Sequence, residues 1–141
     1  MSQFVFRAMS ALNVRLYRLS GGKIAGSMKG APILLLTTTG RRTGKTRVNP
    51  LLYLSDGDIL VLVASKGGAP RHPVWFLNLE ANPDVEVEVG RERERRRARR
   101  ATPEECERLW PKLVEMYGPY ADYQTRTTRE VPVVILEPAS I

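Results

Sequence analysis

One cysteine, Cys106, and one histidine, His72, serve a chain of 141 residues. That scarcity excludes a disulfide framework and any cysteine- or histidine-rich metal centre. No metal site is expected, and a reducing compartment suits the composition. Long apolar runs are missing too. The N-terminal stretch Gln3 to Leu19 is broken by Arg7, Arg15 and Arg18, too short and too charged to span a bilayer, and no small-residue cleavage site follows it. Acidic residues are in deficit: 22 Lys and Arg face 15 Asp and Glu, for a net charge of +7. The excess is local, because "RERERRRARR" (Arg91 to Arg100) carries +5 by itself. That run has no interleaved aromatics for base stacking, and its glutamates repel phosphate, so a nucleic-acid-binding module is disfavoured.

The length suits a single domain with one core. On a helix, Val5, Met9, Leu12, Leu16 and Leu19 share a face, which makes residues 1–22 an amphipathic helix. Packing of that face on the core is the expectation, and contact with an anionic membrane surface is the alternative. "APILLLTTTG" predicts a strand ending at Gly40, and "GRRTG" a turn between glycines. Thr46 to Leu54 predicts the returning strand, with Pro50 marking an edge or bulge. Asp56-Gly57 is a hairpin signal before the apolar strand "DILVLVAS". "VWFLNLEA" predicts a short helix between Pro73 and Pro83. "DVEVEV" alternates, with Val85, Val87 and Val89 inward. The arginine run is expected as an exposed edge strand. Thr102-Pro103-Glu104-Glu105 is a capping box that opens a helix with the stripe Cys106, Leu109, Leu113, Tyr117, and Gly118-Pro119 ends it. "VPVVILEP" closes the chain as a strand. Strands joined by short turns, with two helices inserted among them, predict an α+β antiparallel barrel and not a doubly wound sheet.

Gly40 to Thr46 reads "GRRTGKT", close to the phosphate loop of nucleotide triphosphatases. That loop needs four residues between its glycines, and only three are present. It must also open a helix, whereas Asn49-Pro50 and the β-type residues around it belong to a strand. What remains is a hairpin bearing Arg41, Arg42, Lys45 and Arg47. A second cationic loop, Ser65-Lys66-Gly67-Gly68, follows the apolar strand, and glycines there let amides approach an anion. Together they suggest a phosphate or polycarboxylate site.

Five blocks in one order, "LLLTTTGRRTGKTRVNPLLYL", "VASKGG", "PVWFLNLEANPDVEV", the tyrosine-bearing "YGPYADYQ" and "PVVILEP", resemble the deazaflavin-dependent nitroreductase family. These actinobacterial oxidoreductases use coenzyme F420 on a split β-barrel. The resemblance implies reduced F420 as cofactor, with FMN as the alternative. It implies hydride transfer to a quinone-like, activated-alkene or nitroaromatic acceptor. Arg41, Arg42 and Thr43 would meet the phosphate or oligoglutamate tail. Arg47, Val48, Asn49, Pro50, Leu51 and Leu52 would line the groove, and Val63, Ala64, Ser65 and Lys66 would contact the ring-side chain and the phosphate. Val74, Trp75, Phe76, Leu77 and Asn78 would cover the cofactor. Tyr120 would touch the ring or the substrate, and Tyr120, Tyr123 and Tyr117 are candidates to supply a hydrogen bond or a proton, Tyr117 also continuing the core stripe of its helix. Leu52 stands where nitroimidazole-reducing members tend to carry an aromatic residue, which argues against that substrate class. A cytoplasmic monomer acting on a small-molecule acceptor is the expectation, with peripheral membrane contact through the first helix left open.

Overall fold

The computed structural model describes residues 3–23, 26–28, 31–65, 72–125 and 130–139, with the side chains of 3–11, 28 and 124 set aside. The elements run α1 (Gln3–Ser20), β1 (Ser27–Met28), β2 (Ala31–Thr39), β3 (Thr46–Leu52), β4 (Leu54–Asp56), β5 (Ile59–Val63), α2 (Val74–Ala81), β6 (Asp84–Val89), β7 (Glu92–Arg100), α3 (Pro103–Met116), α4 (Pro119–Thr125) and β8 (Val133–Pro138). Every ladder is antiparallel, in the order β1-β2-β6-β7-β8-β5-β4, with β3 added beside β2.

The barrel closes through one bent run of chain. β3 pairs with β2, in register Leu35↔Pro50, and β4 pairs with β5, in register Leu54↔Val61. Between them Tyr53 turns the chain, and its N–H donates to the Pro32 carbonyl at 3.1 Å. The single strand expected over Thr46 to Leu54 therefore changes partner halfway. Pro50 explains why β3 stays an edge: it has no N–H to offer a second neighbour.

Alternation along the strands sorts the apolar residues into three clusters. Leu34 and Leu36 of β2, Leu60, Leu62 and Ala64 of the β5 segment, Val85, Val87, Ala98, Val134 and Leu136 fill the barrel, and α2 plugs its end with Trp75, Phe76 and Leu79. Val61, Val63, Val133 and Ile135 point outward and are covered by Leu109, Leu113, Tyr117 and Tyr120 of the α3–α4 region. Leu35, with Ile33 and Val48, lies under Val14 and Tyr17 of α1. Covered faces explain why β2, β5 and β8 read as unbroken apolar runs. The outer face of β6 and β7 is met by polar contacts, among them Arg18 of α1 on Glu88 and Glu105 of α3 on Arg99, so those strands alternate apolar with charged residues.

Three expectations change. β7 is not an edge strand: it pairs with β6 and, in register Ala98↔Leu136, with β8. Its charge is tolerated in mid-sheet because carboxylates from four elements meet it. Arg93 pairs with Glu88 at 3.4 Å, Arg97 with Asp84 at 3.2 Å, Arg99 with Glu105 and Glu137 at 2.7 Å each, and Arg100 with Glu80 at 3.2 Å. Second, Gly118-Pro119 ends α3 but opens the further short helix α4. Third, α1 packs through Val14 and Tyr17, whereas Leu12 and Leu19 are 58% and 80% exposed. The rotation is fixed by polar contacts at its C-terminal end. The Tyr17 hydroxyl donates to the Glu88 carbonyl (3.2 Å) and accepts from Gly90 N–H (2.8 Å), and Arg18 meets the buried Glu88 carboxylate at 2.7 Å. No helix among the described residues is long and apolar enough to cross a membrane.

Candidate active site

The β2–β3 hairpin places four cations at one end of the barrel. Gly40 N–H donates to the Lys45 carbonyl at 2.7 Å and Gly44 N–H to the Gly40 carbonyl at 2.9 Å. Lys45 N–H donates to Thr43 Oγ1 at 3.2 Å. Gly44 takes φ +72°, the left-handed conformation that glycine adopts without strain. A Cβ at Gly40 would meet both the Lys45 carbonyl and Thr43 Oγ1 at 3.0 Å. The turn is therefore built by its own short residues, and Arg41, Arg42, Lys45 and Arg47 stand exposed around it. None of the four pairs with a carboxylate among the described residues, in contrast to most of the β7 arginines.

Antiparallel order brings the end of β5 to the same end of the barrel. Among the described residues β3 pairs with β2 alone, while β5 is paired on that side only as far as Val61. The barrel is thus split between β3 and the upper part of β5. Half-buried Val48, Asn49, Pro50, Leu51 and Leu52 lie along one side, and Val63, Ala64 and Ser65 end the other. From Thr46 to Leu52 the strand covers about 20 Å at the usual rise per residue.

A tyrosine cluster sits near the Leu52 end. Tyr120 belongs to the same apolar cluster as Val63, against which Leu52 packs, and its ring centroid is 4.9 Å from that of Tyr117 and 6.1 Å from that of Tyr123. The Tyr117 and Tyr123 hydroxyls share a hydrogen bond of 3.1 Å. Tyr120 is 4% exposed, and its hydroxyl has no partner among the described residues. Burial, followed by its two tyrosine neighbours, pushes the Tyr120 phenol well up, so it keeps its proton across the physiological range.

The expected residues fall into groups. Arg41, Arg42, Thr43, Arg47 and Val74 are exposed, and Val48, Asn49, Pro50, Leu51, Leu52, Leu77 and Tyr123 are half-buried, all available to a ligand. Ala64, Trp75 and Phe76 point into the barrel core. Phe76 is enclosed by the His72 ring at 5.0 Å and the Arg100 guanidinium at 4.9 Å. Asn78 is 2% exposed: Oδ1 accepts from Arg41 N–H at 3.1 Å and Nδ2 donates to Thr38 Oγ1 at 3.3 Å. Lys66 lies outside the described residues. Thr38 escaped notice in the sequence, although it shares parity with inward Leu34 and Leu36, which marked it as a buried hydroxyl needing a partner.

A cleft lies elsewhere. It holds about 350 Å³ between Cys106, Trp110, Ala121, Thr125, Glu130, Val131 and Val133. It offers a carboxylate and no cation, the wrong chemistry for an anion. Among the described residues no group of His, Cys, Asp and Glu could hold a metal ion.

The fold defines a split-barrel protein. The family described as F420H(2)-dependent quinone reductase matches residues 9–138. The F420H(2)-dependent quinone reductase Rv1261c of Mycobacterium tuberculosis is 45% identical over 129 residues, covering 89% of this chain and 87% of its own. Among solved structures, an F420-H2 dependent reductase (FDR-A) is 48% identical with a TM-score of 0.70, covering 75% of this chain and 94% of its own. Another, described as a domain-swapped dimer, is 41% identical with a TM-score of 0.72, covering 90% and 95%. The chain belongs to the F420H(2)-dependent quinone reductase family. It is an F420-dependent oxidoreductase of the quinone reductase type, and the FMN alternative is not supported.

Proposed function

We propose that reduced F420 binds along the split between β3 and β5, its phosphate and oligoglutamate tail at the Arg41–Arg47 hairpin, to reduce a quinone near the tyrosine cluster. The observation that carries this reading is the cation pattern. Most arginines of the β7 run are neutralised by carboxylates, while the four hairpin cations at the mouth of the split are left for an external anion. Arginine forks suit phosphate and carboxylate oxygens. When bound, the cofactor supplies the hydride. The chain's part is placement and electrostatics. The hairpin holds the anionic end, the half-buried β3 residues form an apolar floor, and Tyr120 offers a neutral hydroxyl to negative charge developing on a quinone oxygen. Tyr117 and Tyr123, bonded to each other, brace that ring. Leu52 leaves an aliphatic wall beside it, which favours a flat quinone over a nitroimidazole.

Fluorescence titration with F420 tests the reading. Replacing Arg41 and Arg42 together by Ala removes two charge-assisted contacts of about 1 kcal/mol each, a roughly 25-fold weakening that shrinks as salt is raised. Arg95→Ala is the control: Arg95 is equally exposed but lies on the outer face of β7. Equal loss in both proteins, or no loss in either, overturns the assignment of the hairpin.

A further inference from the structure

Asn78 occupies a position on α2 where an apolar residue would fill the barrel end at lower cost. A buried primary amide is tolerated only when both of its ends are hydrogen-bonded. Here both bonds go to the same hairpin, one to Thr38 near the end of β2 and one to the backbone of Arg41. The other described bonds of the 40–45 turn are internal to it. The Asn78 amide is therefore the one described hydrogen bond linking that turn to the rest of the protein.

We propose that Asn78 is the positioning residue of the anion clamp. Its amide is engaged at both ends, and at 2% exposure it faces the hairpin and not solvent. It sets the Arg41–Arg42 backbone against α2, so that the guanidiniums stand at a fixed distance from the split. Thr38, 1% exposed, completes the anchor by accepting from Nδ2 and so fixing which way the amide faces. The inference rests on the reading that the hairpin holds the cofactor's tail.

The test compares F420 with the deazaflavin chromophore lacking the phosphate and glutamates. In Asn78→Ala, loss of one hydrogen bond to a positioned loop raises Kd and KM for F420 about five- to tenfold. Binding of the tail-less chromophore changes less than twofold, and kcat at saturation is preserved. Equal weakening of both ligands would show that Asn78 merely supports α2, and no weakening of either would also overturn the proposal. Should Asn78→Ala fail to fold, Thr38→Val keeps the volume and removes the amide's anchor. About threefold loss, confined to F420, is then expected, and its absence counts against the idea. Arg41→Ala run alongside separates the two levels. If that variant shows no preference for losing the tail-bearing ligand, the clamp reading itself falls, and the role of Asn78 with it.

Discussion

Glu105 offers the sharpest test of how the charged β7 face is held. Its carboxylate receives Arg99 through two bonds, 2.7 and 2.9 Å, and Thr102 N–H at 2.8 Å. The Arg99 guanidinium first, and the Thr102 amide second, lower its pKa from the ordinary 4.5 to about 2. The sign follows directly: the unfolded chain takes up this proton near pH 4.5 and the folded chain only near 2. The stabilisation is thus full above about pH 4.5 and disappears as pH falls towards 2. The bare linkage would be about 3 kcal/mol. The side chains of Arg99 and Glu105 are 38% and 23% exposed, so screening leaves about 1–1.5 kcal/mol. Glu105→Gln removes the charge but keeps an acceptor for the Thr102 cap. Glu105→Ala removes both, costing about a further 1 kcal/mol. At neutral pH the Gln variant should lie about 1 kcal/mol below wild type in urea titrations, a Tm drop of about 3 °C. By pH 2 the two curves should coincide, with the Ala variant still displaced. A constant gap between wild type and the Gln variant from pH 7 to 2 would refute the assignment of the stabilisation to the Glu105 charge.

Two further outcomes follow from the site and its surroundings. Tyr120→Phe should lower kcat for quinone reduction about tenfold with KM for F420 within twofold, and the wild-type kcat should show no tyrosine titration between pH 6 and 9, because burial holds the phenol protonated. A wild-type rate that changes steeply across that range would contradict a neutral hydroxyl donor. Glu88→Ala should free α1 by stranding Arg18 and half-exposing the Tyr17 latch, at about 2 kcal/mol. Amide hydrogen exchange would then rise in α1 well before the barrel strands, and uniform loss across the molecule would argue against α1 as a separately held cover.

Much of the fold was legible because local physics sets it. The Thr102–Glu105 capping box, the Asp56-Gly57 turn, the Val85–Val89 alternation and the bounds of α2 between two prolines each depend on neighbours in sequence. The strand edge at Pro50 was readable from the missing N–H alone. The errors share one cause: each depended on a partner distant in the chain. β7 was expected as an edge because nothing near Arg91–Arg100 announces that β8, some forty residues on, will pair with it. The rotation of α1 was misjudged because five leucine, valine and methionine positions outweigh one tyrosine by hydrophobicity, whereas Tyr17 and Arg18 find specific acceptors on β6. Within the site, the sequence indicated the hairpin cations and the β3 segment, but it did not show side-chain direction, and Trp75, Phe76 and Asn78 are buried at the barrel end.

Composition and local pattern thus dictated that this chain be a small antiparallel barrel with a cationic turn. Hydrogen-bonding capacity, alternation and charge are properties of short stretches. Which arginines are free to bind was settled only by the tertiary structure. Most β7 arginines find carboxylates on β6, β8, α2 and α3, while those of "GRRTGKT" find none among the described residues, because they stand on a turn that projects from the strands. Charge is written in the sequence, but its neutralisation depends on what folding brings within reach.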